Sequence, residues 1–165
     1  MTTPTLEPIT FGELPLRIED VLALARQRAP ARLQADSAFR ERIAKGARFL
    51  DSLLDKEGVI YGVTTGYGDS CVVAVPLHHV EALPRHLYTF HGCGLGKLLD
   101  PAATRAVLAA RLQSLCQGVS GVRVELLERL QAFLEHDILP LIPEEGSVGA
   151  SGDLTPLSYV AATLS

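Results

Sequence analysis

Apolar residues recur every three or four positions through most of this chain, the spacing that lines them along one side of an α-helix. The stretch RIEDVLALARQR, 17–28, sets Ile18, Val21, Leu22 and Ala25 on one face, with Glu19 and Asp20 in the electropositive first turn. DSAFRERIAKGARFLDSLLDKEG, 36–58, carries Phe39, Ile43, Ala47, Leu50 and Leu54 in the same rhythm. Asp36 or Ser37 can cap its start, and Gly58 can close it. After a glycine-rich loop, Pro76 opens a short helical piece and Pro84 another that runs to Gly92. DPAATRAVLAARLQSLCQG, 100–118, has Asp100 as cap, Pro101 at the first helical position and Gly118 at the close, with Val107, Leu108, Leu112 and Leu115 as its stripe. SGVRVELLERLQAFLEHDILP, 120–140, turns Val124, Leu127, Leu130 and Leu134 inward, and Pro140 lies beyond its end. Asp153 can cap a last helix, LTPLSYVAATLS, whose apolar face is Leu157, Val160, Ala161 and Leu164. That face stops without a glycine, a basic turn or a polar tail, so the chain is expected to be the amino-terminal piece of a longer protein.

Composition narrows the class. The 165 residues suit one ordinary domain, and 47% of them are hydrophobic, enough for a substantial core. The net charge of -4, with no long run of like charge, argues against a nucleic-acid or anionic-membrane partner, which would need a basic face. The start, MTTPTLEPITFGELP, has neither the basic head nor the apolar segment of a secretory signal, and no apolar stretch is long enough to span a bilayer. A cytoplasmic protein is expected. Cys71, Cys93 and Cys116 are odd in number and widely spaced, which favours three reduced thiols over a disulfide or a zinc site; no metal is expected.

Glycine clusters in three segments, 62–68, 92–96 and 146–152. None makes a phosphate cradle: GSVGASGD has Asp where a P-loop needs Lys, GYGDSC lacks the third glycine of a dinucleotide fingerprint, and HGCGLGK follows a helix rather than a strand. Gly149-Ala150-Ser151-Gly152 is also out of order for a serine-hydrolase elbow. Tight turns and helix caps account for the first two clusters. The third allows a specific reaction. The Gly152 nitrogen, unobstructed by a Cβ, can attack the Ala150 carbonyl carbon and close a five-membered ring. Loss of water from that carbon and from the Ser151 side chain leaves an imidazolone with an exocyclic methylene. Flanking glycines permit the strained backbone that closure needs, Asp153 can assist proton transfers, and the following helix would aim its positive end at the product.

At these residues the chain resembles the aromatic amino acid ammonia-lyases and aminomutases, the histidine, phenylalanine and tyrosine ammonia-lyase group. GSVGASGDLTPLS, 146–158, is similar to the family segment whose Ala-Ser-Gly becomes 4-methylidene-imidazol-5-one (MIO). YGVTTGYG, 61–68, resembles the catalytic-tyrosine loop, usually Tyr-Gly-Val/Ile-x-Thr-Gly-Phe-Gly. LPRHLYTFHGCGLG, 83–96, resembles the substrate-selectivity segment, and RLQSLCQGVSGVR, 111–123, the pattern Arg-x-Asn-x-Leu-x-x-Gly-x-Ser-Gly-x-Arg. The four motifs keep the family's order from Tyr61 onward; the first sixty residues are only compatible with it.

The resemblance implies a mainly α fold of the fumarase/aspartase type with minor strand near the N-terminus, of which residues 1–165 are an N-terminal portion without a second complete domain. It implies that Ala150, Ser151 and Gly152 form MIO autocatalytically as an electrophile for the substrate amine or, in an older proposal, its ring. Tyr61 would be the base for the β-proton. A phenol is mostly protonated at neutral pH, so that role needs electropositive surroundings. Gly62 and Gly68 would let the loop bring Tyr61 to the substrate. Phe90 and His91 align with the pair that reads the ring; histidine lyases tend to carry Ser-His there, tyrosine lyases His-Leu and phenylalanine lyases Phe-Leu, and Phe-His matches none of them. Outside the motifs, Tyr61 reads as a loop tyrosine and His91 as a helix-end histidine bonded to backbone. The expected activity is elimination of ammonia from an aromatic L-amino acid (histidine, tyrosine or phenylalanine) to the trans-α,β-unsaturated acid, by a homotetramer whose sites gather residues from three subunits. The alternatives are a 2,3-aminomutase, which re-adds the ammonia at the β-carbon, and a non-catalytic helical fragment, since the 165 residues alone lack the family's downstream site residues.

Overall fold

The computed structural model describes residues 7–56, 58–149 and 154–165. In chain order its elements are β1 (Ile9–Phe11), α1 (Ile18–Ala25), β2 (Ala31–Leu33), α2 (Ser37–Asp55), α3 (Leu77–Val80), α4 (Leu83–His91), β3 (Leu95–Leu98), α5 (Pro101–Leu115), α6 (Val124–Glu135), β4 (Pro143–Glu145) and α7 (Leu154–Leu164). The mainly α expectation holds. Its minor strand content near the N-terminus is β1 and β2, and β3 with β4 adds a second pair. The chain divides into two compact units, residues 1–50 with 100–139, and residues 51–99 with 140–165.

In the first unit the helix starts are chemical. Asp36, not Ser37, caps α2, its Oδ1 accepting from the Phe39 amide at 2.6 Å. Asp100 Oδ1 accepts from the Ala103 amide at 2.7 Å to start α5, and each such cap is worth about 1 kcal/mol. β1 and β2 pair in parallel, Ile9 beside Ala31 and Phe11 beside Leu33. Parallel neighbours need a crossover, and α1 supplies it. The free edge of β2 is partly closed by Gln131 of α6, whose side-chain oxygen accepts from the Leu33 amide at 2.9 Å.

Helix α5 packs on both α1 and α6. It therefore buries a broader surface than its predicted stripe, adding Thr104, Arg105 and Ala109 to Leu108, Leu112 and Leu115. Phe11, Ile43, Leu108, Leu112, Leu115, Leu127 and Leu130 form the centre, each at 2% exposure or less. Cys116 joins them; burial pushes its thiol up to about 12, so it stays neutral and behaves as a small apolar group. The predicted face of α1 holds at Ala25 and is corrected at Ile18 and Leu22. Ala23, Leu24 and Ala25 are buried, whereas Ile18 and Leu22 are exposed. The helix is apolar on more than one side, and small Ala23 and Ala25 suit close packing on α5.

Arg105 is the buried charge of this core, at 8% exposure. Its guanidinium pairs with Asp137 at 2.7 Å and donates to the Ala25 carbonyl at 3.1 Å. It thereby ties the C-terminal ends of α1 and α6, just where Gln27 and Asp137 adopt left-handed backbone. Replacing Arg105 by Met keeps the bulk and removes the donors. The chain is expected to lose about 2 kcal/mol, because an acceptor is stranded in the core while half-exposed Asp137 recovers water. Urea unfolding of the variant beside the wild type measures it; an unchanged midpoint would show that the clamp contributes nothing.

In the second unit α4 packs on α7, burying Val160 and Ser158 of the latter. β3 and β4 run antiparallel, with Leu95 opposite Glu145 and Leu98 opposite Pro143 across an irregular register. The ladder extends one step further, the Leu99 amide donating to the Ile142 carbonyl at 2.8 Å. Among the described residues no helix is long and apolar enough to cross a membrane, and no group of three or more His, Cys, Asp or Glu is placed to hold a metal.

Candidate functional site

The tyrosine loop is built by its own short side chains. Thr64 Oγ1 accepts from the Ile60 amide at 2.8 Å and donates to the Gly58 carbonyl at 3.2 Å. Buried Thr65 accepts from the Gly62 amide at 3.1 Å and donates to the Gly66 carbonyl at 2.9 Å. Two backbone bonds, Gly66 to Val73 at 3.1 Å and Val75 to Thr64 at 2.8 Å, close the base. Each threonine satisfies loop amides and carbonyls that have no ladder partner.

Tyr61 stands on this frame, 60% exposed. Its phenol oxygen accepts a hydrogen bond from the Gly68 amide at 2.8 Å. Gly68 opens a 3-10 turn, Gly68–Val72, and the first amides of such a turn have no partner inside it. One of them is aimed at Tyr61. A donor in that position stabilises negative charge on the phenol oxygen. The structure thus brings Tyr61 and Gly68 together.

Gly62 makes room for a second tyrosine of the loop. It has φ +73°, and a Cβ there would lie 2.7 Å from the ring of Tyr67. Tyr67 packs into that gap, donates its hydroxyl to the Gly62 carbonyl at 2.9 Å, and meets the Tyr61 ring edge-on, with centroids 6.0 Å apart at 84°. Burial, and then the neighbouring Tyr61, raises the Tyr67 phenol above its usual range, so it remains a donor. Sequence reasoning did not single out Tyr67. The available signal was that it stands where the family pattern has phenylalanine.

Phe90 and His91 end α4. Phe90 is 79% exposed, His91 is half-buried, and their rings meet edge to face with centroids 5.2 Å apart. The segment after them joins two of the three glycine clusters. The Gly94 amide donates to the Tyr159 hydroxyl of α7 at 3.0 Å. At Gly146, φ is +147°, and a Cβ would stand 2.7 Å from the Thr155 methyl and 3.2 Å from the Gly94 Cα. Only glycine fits between them. Tyr159 was not anticipated as a tether, because its partner lies 65 residues away.

Ala150, Ser151, Gly152 and Asp153 lie outside the described residues. On one side of them Gly149 holds φ +71° with open space where a Cβ would be; on the other, α7 begins at Leu154. Glycine-permitted backbone followed by a helix start suits the ring closure that Ala-Ser-Gly allows, so the flanks fit an MIO group.

Comparison with known proteins agrees with this arrangement. The family model described as aromatic amino acid lyase matches residues 16–165. A histidine ammonia-lyase of Symbiobacterium thermophilum is 39% identical over 149 residues, covering 90% of this chain and 29% of that protein. The histidine ammonia-lyase of Sorangium cellulosum is 40% identical over 153 residues, covering 91% and 29%. The crystal structure of tyrosine aminomutase from Streptomyces globisporus superimposes with a TM-score of 0.87 at 37% identity, over 95% of this chain and 29% of that one. The chain therefore spans under a third of the length of these relatives and matches part of their helical fold. With a family match over nearly its whole length, the chain belongs to the aromatic amino acid lyases.

Proposed function

We propose that the complete polypeptide carrying this chain is an MIO-dependent ammonia-lyase, which eliminates ammonia from histidine, tyrosine or phenylalanine to give the trans-α,β-unsaturated acid. The observation that carries this reading is the Tyr61 phenol oxygen held 2.8 Å from the Gly68 amide. It lies in the unit whose chain also bears Phe90, His91 and the Ala-Ser-Gly tripeptide. Formed from Ala150, Ser151 and Gly152, MIO supplies an electrophile that no ordinary side chain provides. Tyr61, acting as phenolate, takes the weakly acidic β-proton and becomes the neutral phenol; the Gly68 amide steadies the charge that the oxygen carries before the transfer. Asp153 assists the proton transfers of ring closure. Phe90 offers an apolar ring face, while the His91 imidazole can hydrogen-bond a phenol or another imidazole. The exposed Tyr61 and Phe90 rings suit a site completed by other subunits of a homotetramer. The 165 residues alone are then a helical portion without turnover of their own.

A second reading, a 2,3-aminomutase, is favoured by the likeness to a tyrosine aminomutase. One experiment separates the two. The complete polypeptide is incubated in parallel with histidine, tyrosine and phenylalanine, and products are identified by chromatography. Free ammonia with a trans-unsaturated acid is the expected result; a β-amino acid would make it the mutase, and neither product from any of the three would overturn both.

A further inference from the structure

We propose that Tyr67 is a positioning residue for Tyr61, its hydroxyl latching the tyrosine loop so that the Tyr61 oxygen stays on the Gly68 amide; this rests on the reading of Tyr61 as the base. Three contacts of Tyr67 converge on that geometry. Its hydroxyl holds the Gly62 carbonyl at 2.9 Å, one residue beyond Tyr61. Its ring fills the space that Gly62 leaves by lacking a Cβ. The ring edge also meets Tyr61 at a centroid distance of 6.0 Å. Tyr67 is itself the residue before Gly68, so one side chain spans the two backbone positions whose separation sets the Tyr61–Gly68 hydrogen bond. A phenylalanine would keep the ring contacts and lose the tie. Burial, and then the neighbouring Tyr61, keeps the Tyr67 proton in place, so the hydroxyl goes on donating to the Gly62 carbonyl.

The test compares Tyr67→Phe, Tyr67→Leu and Tyr61→Phe with wild type in the complete polypeptide, by residue-resolved hydrogen exchange and by steady-state kinetics. Tyr61→Phe removes the acceptor and should speed exchange of the Gly68 amide. Tyr67→Phe should speed it as well, by about three- to tenfold, the worth of one net hydrogen bond, with the amides of α5 and α6 unchanged. In turnover, Tyr67→Phe should lower kcat by a similar factor and leave KM alone, because Tyr67 is not assigned any contact with substrate. Wild-type exchange at Gly68 in Tyr67→Phe overturns the latch. Acceleration confined to Tyr67→Leu would assign the effect to ring packing and overturn it too, as would a Gly68 amide indifferent to Tyr61→Phe. Exchange needs no catalysis, so failure of the lyase reading shows separately, as a wild type that releases no ammonia.

Discussion

Replacing Ser151 by alanine is expected to leave the complete polypeptide folded, unmodified and inactive. Closing the ring on Ala150 and Gly152 takes one water from the Ala150 carbonyl carbon, and the exocyclic methylene takes a second from the serine side chain. Alanine has no hydroxyl to lose, so the electrophilic carbon cannot form. Intact-mass spectrometry should find the native protein lighter than its translated sequence by two waters, and the variant never by two. Turnover should lose most of an acceleration that in enzymes is at least about 10⁶-fold, because no ordinary side chain supplies such an electrophile. The fold has no reason to respond. The flanking elements are held by other residues: β3 to β4 by ladder pairing, Leu99 to Ile142 at 2.8 Å, and α7 to the Gly94 amide through Tyr159 at 3.0 Å. Unchanged circular dichroism should therefore accompany lost activity. A variant that still released ammonia at the native rate would sink the assignment of the tripeptide.

The parts of the fold that could be read in advance are those whose physics is local. Asp100, Pro101 and Gly118 bracket α5 because a cap, a fixed φ and a left-handed glycine act within a turn or so of themselves. The inward faces of α5 and α6 were nearly right for the same reason: Leu108, Leu112, Leu127 and Leu130 follow one helical period. Reading failed where the deciding partner is distant. Burial of Arg105 depends on Asp137, 32 residues on, and on Ala25, 80 residues back. Within GCGLG the sequence alone suggests only a turn, whereas Leu95 and Gly96 begin β3, because their partner strand β4 arrives only at Pro143. On α1 either apolar side could have faced inward, and only the packing of α5 chooses Ala23 and Leu24 over Ile18. The site divides likewise. Tyr61 and the tripeptide stand out as motifs, since the chemistry proposed for them demands particular residue types in order. The amide of Gly68 on the Tyr61 oxygen, and Tyr67 beneath Gly62, exist only once the loop has closed on itself.

That closed loop makes Tyr61→Phe a cleaner substitution than most changes of a proposed base. The ring remains, with its edge-on partner Tyr67, and every hydrogen bond of Thr64 and Thr65 is untouched. Only one oxygen goes, and the Gly68 amide it leaves is on an exposed residue where water can replace it. Stability should therefore change by no more than about 0.5 kcal/mol, the ordinary range for a surface change. Ring closure at Ala150 and Gly152 needs nothing from Tyr61, so the mass should still fall short of the translated sequence by two waters. Turnover should drop by about 10²- to 10⁴-fold, the worth of a positioned general base, with KM little altered because a proton-transfer group acts mainly in the transition state. The two substitutions thus separate two functions: Ser151→Ala removes the modification and the activity together, while Tyr61→Phe removes the activity and keeps the modification. Native turnover in Tyr61→Phe would take the base away from this loop, whatever the mass of the protein.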